Sequence, residues 1–379
     1  MARRKKNIYL DTAAATPLDS RALAAMRPYW LKSFANPSSI HYAGTVARRA
    51  VEEARAKVAQ ALETHSSEII FTSGGTEANN LAIFGVAHQF AINHKQSGHI
   101  ITSTIEHTSV LEPCRQLERV GWQVTYLPVN ADGLVEPNVL TKALRPETAL
   151  VSIGYANNEI GVIQPIRELA KVIRRAARRP YFHIDACQAP RFLTCRVPTL
   201  GVDMMTVNSD KIYGPKGVGA LFARHSLELS PLIFGGGQER GLRSGTENVA
   251  GIVGFAVALE LCEKLREKES IRLTKLRDYF IDHLLRLPHA KLNGAREARL
   301  PNNVNVSFGD ADSEFVVLNL DVAGVAVSTG SACSTYGKGE SHVAPNSVRF
   351  TFDRATVKSD LDYVLKILPE ILKRSLTSR

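Results

Sequence analysis

Between residues 68 and 225, short runs of β-branched and apolar residues alternate with stretches of helical period. The runs fall at 68–72, 99–103, 122–127, 149–153, 181–185, 203–207 and 219–223, and each predicts a strand. Residues 79–87 and the stretch near 108–119 predict helices between them. Strands alternating with helices predict an α/β layer on a mainly parallel, seven-stranded sheet flanked by helices. Residues 247–287 carry the pattern of two long helices with a break near Glu269. After Pro288 the pattern changes. Strands at 303–308, 325–327 and 347–352, with helices near 312–320 and 356–374, predict a smaller α+β domain. No internal repeat or low-complexity segment interrupts the chain.

Composition narrows the class. The chain has 379 residues, 44% of them hydrophobic, enough to bury the cores of two or three domains. Charged residues are 22%, which excludes a disordered chain. The formal net charge is +10, partly from Arg3-Arg4-Lys5-Lys6 and from Arg174, Arg175, Arg178 and Arg179. Such a surface attracts RNA, acidic proteins or anionic metabolites. No nucleic-acid motif surrounds either cluster, so they read as solvated charge and no direct nucleic-acid partner is expected. Asp11 falls where a signal peptide needs apolar residues, and no window approaches 18 uninterrupted apolar residues, so neither a leader nor a membrane span is expected. The five cysteines include no CxxC pair. Zinc and thioredoxin-like chemistry are disfavoured, and an odd count of free thiols predicts a reducing cytoplasm.

Four stretches carry candidate chemistry. Thr72–Asn79 ends a strand, turns on Gly74 and Gly75, and opens a helix at Thr76. Free N–H groups at such a turn bind anions, although a glycine turn with a capping threonine is the plainer reading. Asp185 ends a strand, where ligands gather in open α/β sheets; it suits either a protonated ring nitrogen or a helix cap. Lys211 follows strand 203–207 and precedes Gly214-Pro215-Lys216-Gly217, which can turn the chain sharply. It is either a surface lysine or the partner of a carbonyl cofactor in a Schiff base. Together the cradle, the carboxylate and the lysine match the phosphate, ring nitrogen and aldehyde of pyridoxal phosphate, and His107 is positioned to stack on the ring. In the fourth stretch, Ser328–Ser334, small residues surround Cys333, a candidate exposed nucleophile. Arg349 lies inside a predicted strand, so a carboxylate partner or substrate is expected for it.

These motifs resemble the cysteine desulfurases of the NifS/IscS type, fold-type I pyridoxal phosphate enzymes. The resemblance runs nearly end to end through YLDTAAATP (9–17), NPSSIH (36–41), TSGGTEANN (72–80), IEH (105–107), NNEIG (157–161), HIDACQ (183–188), KIYGPKG (211–217), GGGQERGLRSGTEN (235–248) and GSAC (330–333). It implies a large cofactor-binding domain over 15–255 and a small domain from 1–14 and 256–379 that carries the cysteine loop. It implies that Lys211 holds the cofactor's aldehyde, Gly75 and Thr76 its phosphate, Asp185 the ring nitrogen and Gln188 the phenolic oxygen. Asn157 and Arg349 would hold the substrate carboxylate. His107 would stack on the ring and aid proton transfer, and Thr246 would reach the phosphate from the other subunit of a homodimer. The implied reaction is a sulfurtransfer: L-cysteine gives L-alanine and a persulfide on Cys333, passed to an iron–sulfur scaffold or a tRNA-thiolation protein.

Two positions depart from the family's pattern. The family usually has Ser-x-His before the lysine, both on the phosphate, whereas this chain has Asn208 and Asp210. Asn208 still donates a hydrogen bond, but an ionised Asp210 repels a phosphate dianion. The expectation is that Asp210 turns from the phosphate, toward a lysine or arginine, and that Ser209 and backbone donors compensate. The loop after Cys333 is also shorter than in the scaffold-dependent branch, which leaves open the acceptor and the need for an activator. The alternatives are a selenocysteine lyase-like or aminotransferase-like relative, or a catalytically impaired interaction subunit. Cys333 speaks against an aminotransferase, and the retained Lys211, Asp185, His107 and Arg349 speak against decay.

Overall fold

The structure is a computed structural model that describes residues 7–330 and 346–377. The first part of the chain forms β1 (Ile8–Tyr9), α1 (Ser20–Leu31), α2 (Tyr42–Leu62), β2 (Ile69–Thr72), α3 (Gly75–His94), β3 (His99–Ser103), α4 (Thr108–Arg119) and β4 (Gln123–Leu127). It continues through α5 (Pro137–Ala143), β5 (Thr148–Gly154), α6 (Ile166–Arg174), β6 (Tyr181–Asp185), α7 (Val197–Leu200), β7 (Met204–Asn208) and β8 (Gly219–Ala223).

The expected sheet is present. Seven strands lie in the order β2-β8-β7-β6-β5-β3-β4. Only β8 runs against its neighbours; β4, β3, β5, β6 and β7 are mutually parallel. The strands β2, β3, β6 and β7 are almost wholly buried, as their continuous apolar runs require when helices cover both faces. Parallel strands all end on one side, so the loops after β3, β5, β6 and β7 converge on one edge of the sheet.

The remainder is α8 (Val249–Leu284), β9 (Ala290–Leu292), β10 (Asn303–Phe308), α9 (Ser313–Val322), β11 (Val325–Ala326), β12 (Ser328–Thr329), β13 (Ser347–Thr351) and α10 (Lys358–Thr377). The break expected near Glu269 is absent: α8 is one helix of 36 residues. Neither glycine nor proline occurs between Gly254 and Leu284, and the pairs Glu260–Lys264, Glu263–Arg266 and Glu269–Arg272 brace successive turns across the middle. Its first half, to Cys262, packs into the core under the seven-stranded sheet. Its second half, from Leu273, packs into a separate core with Phe308, Phe350 and Leu368.

That second core is built on the antiparallel sheet β12-β13-β10-β9. The start of the chain joins it: Ile8 and Tyr9 pair in parallel with Val325 and Ala326, and Leu10 is fully buried there. The predicted strand 325–327 is therefore two short ones, β11 pairing with β1 and β12 with β13.

The stretch 235–248 is tied down by ion pairs. Arg55 of α2 meets Glu239 through two hydrogen bonds of 2.6 and 2.8 Å, both side chains buried, and Glu239 also accepts the Phe71 N–H. Arg243 pairs with Glu77 in the first turn of α3 at 2.9 Å. Among the described residues no helix is long and apolar enough to cross a membrane.

Candidate active site

A cavity of 440 Å³ opens where the strand ends converge. Gly75 and Thr76 line it from the start of α3, His107 from the start of α4, Asn157 from the loop after β5, and Asp185 and Gln188 from the end of β6. Asn208, Asp210 and Lys211 line it from the turn after β7, and Arg349 from β13. Ten of the residues singled out in the sequence thus share one wall. Thr246 does not; it is exposed on the surface in the stretch tied by Glu239 and Arg243. Cys333 lies outside the described residues.

Each side chain is held by local physics. Gly75 opens the 20-residue helix α3, whose first N–H groups face the cavity. A Cβ on Gly75 would stand 2.6 Å from Cys187 Sγ, so the wall is open there only because the residue is glycine. Asp185 accepts from Asn79 Nδ2 at 2.8 Å and from the Cys187 N–H at 2.9 Å. Asn79 also donates to Ser109 Oγ at 2.8 Å, and Ser109 Oγ meets His107 Nδ1 at 2.8 Å. The Ser109 N–H donates to the same Nδ1 at 3.1 Å. His107 Nδ1 is therefore an acceptor, and the ring's proton sits on Nε2. Burial lowers the His107 pKa, against the pull of Asp185, so the ring is held neutral.

Arg349 is fully buried, and the carboxylate it requires is Asp11: Nη2 reaches Asp11 Oδ1 at 2.8 Å, and Nη1 donates to the Asn158 carbonyl at 3.3 Å. Among the described residues its Nε has no hydrogen-bond partner. Asn157 is fixed by donating to the Ile105 carbonyl at 2.8 Å and accepting the N–H groups of Glu159 and Ile160. Gln188 donates to the Ala13 carbonyl at 3.0 Å. Lys211 Nζ donates to the Ala14 carbonyl and lies 3.4 Å from Asp210 Oδ2, so Asp210 faces a cation, but it does not turn out of the cavity, which it lines. Ser209 does not compensate. It is fully buried, with its hydroxyl turned to the position a Gly214 side chain would fill, away from the cavity.

Sequence reasoning missed Glu106, Asn79, Ser109 and Cys187, all of which line the cavity. Burial pushes the Glu106 carboxyl up to about 7, although Ser103 donates to it at 2.5 Å. Burial likewise raises the Cys187 thiol well above its ordinary value, with Asp185 adding to the effect. Only the place of Glu106, between a predicted strand end and His107, could have marked it.

The chain matches the "Aminotransferase class-V" family model over residues 8–364. It is 50% identical to the cysteine desulfurase IscS of Dictyoglomus turgidum, over 98% of this chain and 96% of that protein. It is 43% identical to the cysteine desulfurase IscS 1 of Archaeoglobus fulgidus, over 97% of each. Its fold is similar to the solved structure of a NifS-like protein with a TM-score of 0.90 and 36% identity, covering 97% of this chain and 100% of that one.

Proposed function

This chain belongs to the class-V aminotransferases and, among them, to the pyridoxal phosphate-dependent cysteine desulfurases, and from that premise we propose how its own residues divide the work. What supports the division is one observation: Lys211, Arg349, the carboxyl groups of Asp185, Asp210 and Glu106, a neutral histidine and a glycine-opened helix start share a single 440 Å³ cavity.

The residues fit the cofactor. The N–H groups of Gly75 and Thr76 and the amide of Asn208 take its phosphate. Asp185, which carries no cationic partner of its own, takes the ring N–H, and Gln188 the phenolic oxygen. When bound, the cofactor supplies an electron sink for a carbanion at the substrate's α-carbon. Lys211 anchors it and moves the α-proton. The neutral ring of His107, which lines the cavity, would stack on the cofactor's ring. Arg349 Nε and Asn157 receive the substrate carboxylate, so Asp11 shares its guanidinium with the substrate.

Cys333 then acts as nucleophile. Its thiolate sulfur bonds to the sulfur of L-cysteine, the substrate's Cβ–S bond breaks, and the carbon takes a proton to become the methyl group of alanine. The persulfide on Cys333 passes to an acceptor protein for iron–sulfur assembly or tRNA thiolation. The enzyme works as a homodimer. Exposed Trp30, Leu31, Phe34, Tyr42 and Phe234 supply apolar surface for a second copy, and Thr246, exposed and outside its own cavity, is free to reach another. A reducing, cytoplasmic setting suits the free thiols of Cys114, Cys187, Cys195 and Cys262.

Titrating pyridoxal phosphate into the purified chain tests the site. A visible absorption band should grow to one equivalent per chain and be absent in Lys211→Ala. A band of equal strength in that variant would place the anchor elsewhere.

A further inference from the structure

The residue before Lys211 has no role in the division above. Its backbone is fixed: the Asp210 carbonyl accepts from Thr16 N–H at 2.9 Å and Thr16 Oγ1 at 2.8 Å. Its carboxylate lines the cavity. One oxygen, Oδ2, lies 3.4 Å from Lys211 Nζ; the other, Oδ1, is buried with no hydrogen-bond partner among the described residues. Cys187 joins this carboxylate to the anion-binding turn: it senses the charge of Asp210 and lies where a Gly75 side chain would be. The Ser209 hydroxyl faces away, so of the three residues before Lys211 only Asn208 presents a donor to the cavity.

We propose that Asp210 is a positioning residue, the standing counter-ion of the Lys211 nitrogen, and that this chain holds the cofactor's phosphate against an adjacent negative charge. This rests on the reading of the cavity as a pyridoxal phosphate site. Two consequences follow. A carboxylate beside a phosphate in a partly dry site weakens its binding, so the chain releases cofactor more readily than one without that charge. The same carboxylate favours the protonated form of the Lys211 nitrogen after it has joined the cofactor. The other titratable groups of the cavity are Asp185 and Cys187 at the end of β6, Glu106 and His107 at the start of α4, and Arg349 of β13. Of the two that could carry a positive charge, His107 is held neutral and Arg349 is paired with Asp11, so Lys211 is the cation beside Asp210.

The test compares wild type with Asp210→Asn and Asp210→Ala, each freed of cofactor by dialysis and shown folded by its melting curve. Pyridoxal phosphate is titrated in and read by absorbance, and each loaded protein is then titrated with base. Both variants are expected to bind the cofactor about tenfold or more tightly. Both should also change their visible band at a pH about one unit or more lower. Unchanged or weaker affinity in either variant, or an unmoved pH transition, overturns the proposal. A wild-type chain that forms no Lys211-dependent band is a different failure, that of the cofactor site itself.

Discussion

Gly154 carries no side chain where the carboxyl of Glu106 lies; a Cβ there would stand 2.8 Å from Oε2. That exchange of volumes brings a second carboxyl into the cavity beside Asp185. Burial raises it to about 7, so the folded chain keeps a proton that the unfolded chain releases in the ordinary carboxylate range. Because the folded value is raised, the stabilisation is present in acid and lost as pH rises through about 7. Glu106→Gln, a permanent mimic of the neutral acid, should gain more than ~1 kcal/mol on wild type between about pH 5 and about pH 8. Melting curves across that range check it, and parallel curves would refute it. Lys211 and Asp185 were legible in the sequence because Asp185 ends a strand and Lys211 sits in the turn just after one, before a marked Gly-Pro break. Glu106 was not, because nothing in a sequence tells a solvated glutamate from one enclosed by a glycine on another strand. The Asn79–Ser109–His107 chain was hidden for the same reason: its members come together only when α3 packs against α4.

Among the elements, α8 carries the most mechanical weight, since its two halves sit in two different cores. The alternation of strands and helices over 68–225 was read correctly because buried parallel strands leave uninterrupted apolar runs. The helix was misread as two because its middle, around Glu269, faces polar neighbours and loses the apolar period while keeping good helix formers. Ion pairs between successive turns of α8 itself replace core contacts there without ending the helix. Glu269→Pro should therefore cost ~3 kcal/mol or more in the urea midpoint, by removing an N–H and clashing with the preceding turn, while Glu269→Ala should cost under about 1 kcal/mol. A proline tolerated at this position would mean the helix is broken after all. The pairing of β1 with β11 was also invisible: two-residue strands more than 300 residues apart leave no periodic trace.

At the scale of the whole molecule, the start of the chain and the antiparallel sheet supply one side of the cavity through Ala13, Ala14, Ser328 and Arg349, and Asp11 pairs with Arg349 there. The +10 net charge suits an acidic partner that collects sulfur, but charge alone names none. The fold was legible in the sequence because its motifs lie along the strand ends; the packing of the opening residues was not, being a matter of tertiary contact. The central claim is that this chain moves sulfur from L-cysteine to Cys333. The direct measurement is mass spectrometry of the pyridoxal phosphate-loaded protein after L-cysteine, with alanine assayed in the same sample. The account predicts one added sulfur on the peptide carrying Cys333 for each first-turnover alanine, and loss of both in Cys333→Ala with the cofactor's absorption intact. Alanine formed by wild type with no sulfur on Cys333, or persulfide formed by Cys333→Ala at the wild-type rate, would contradict it.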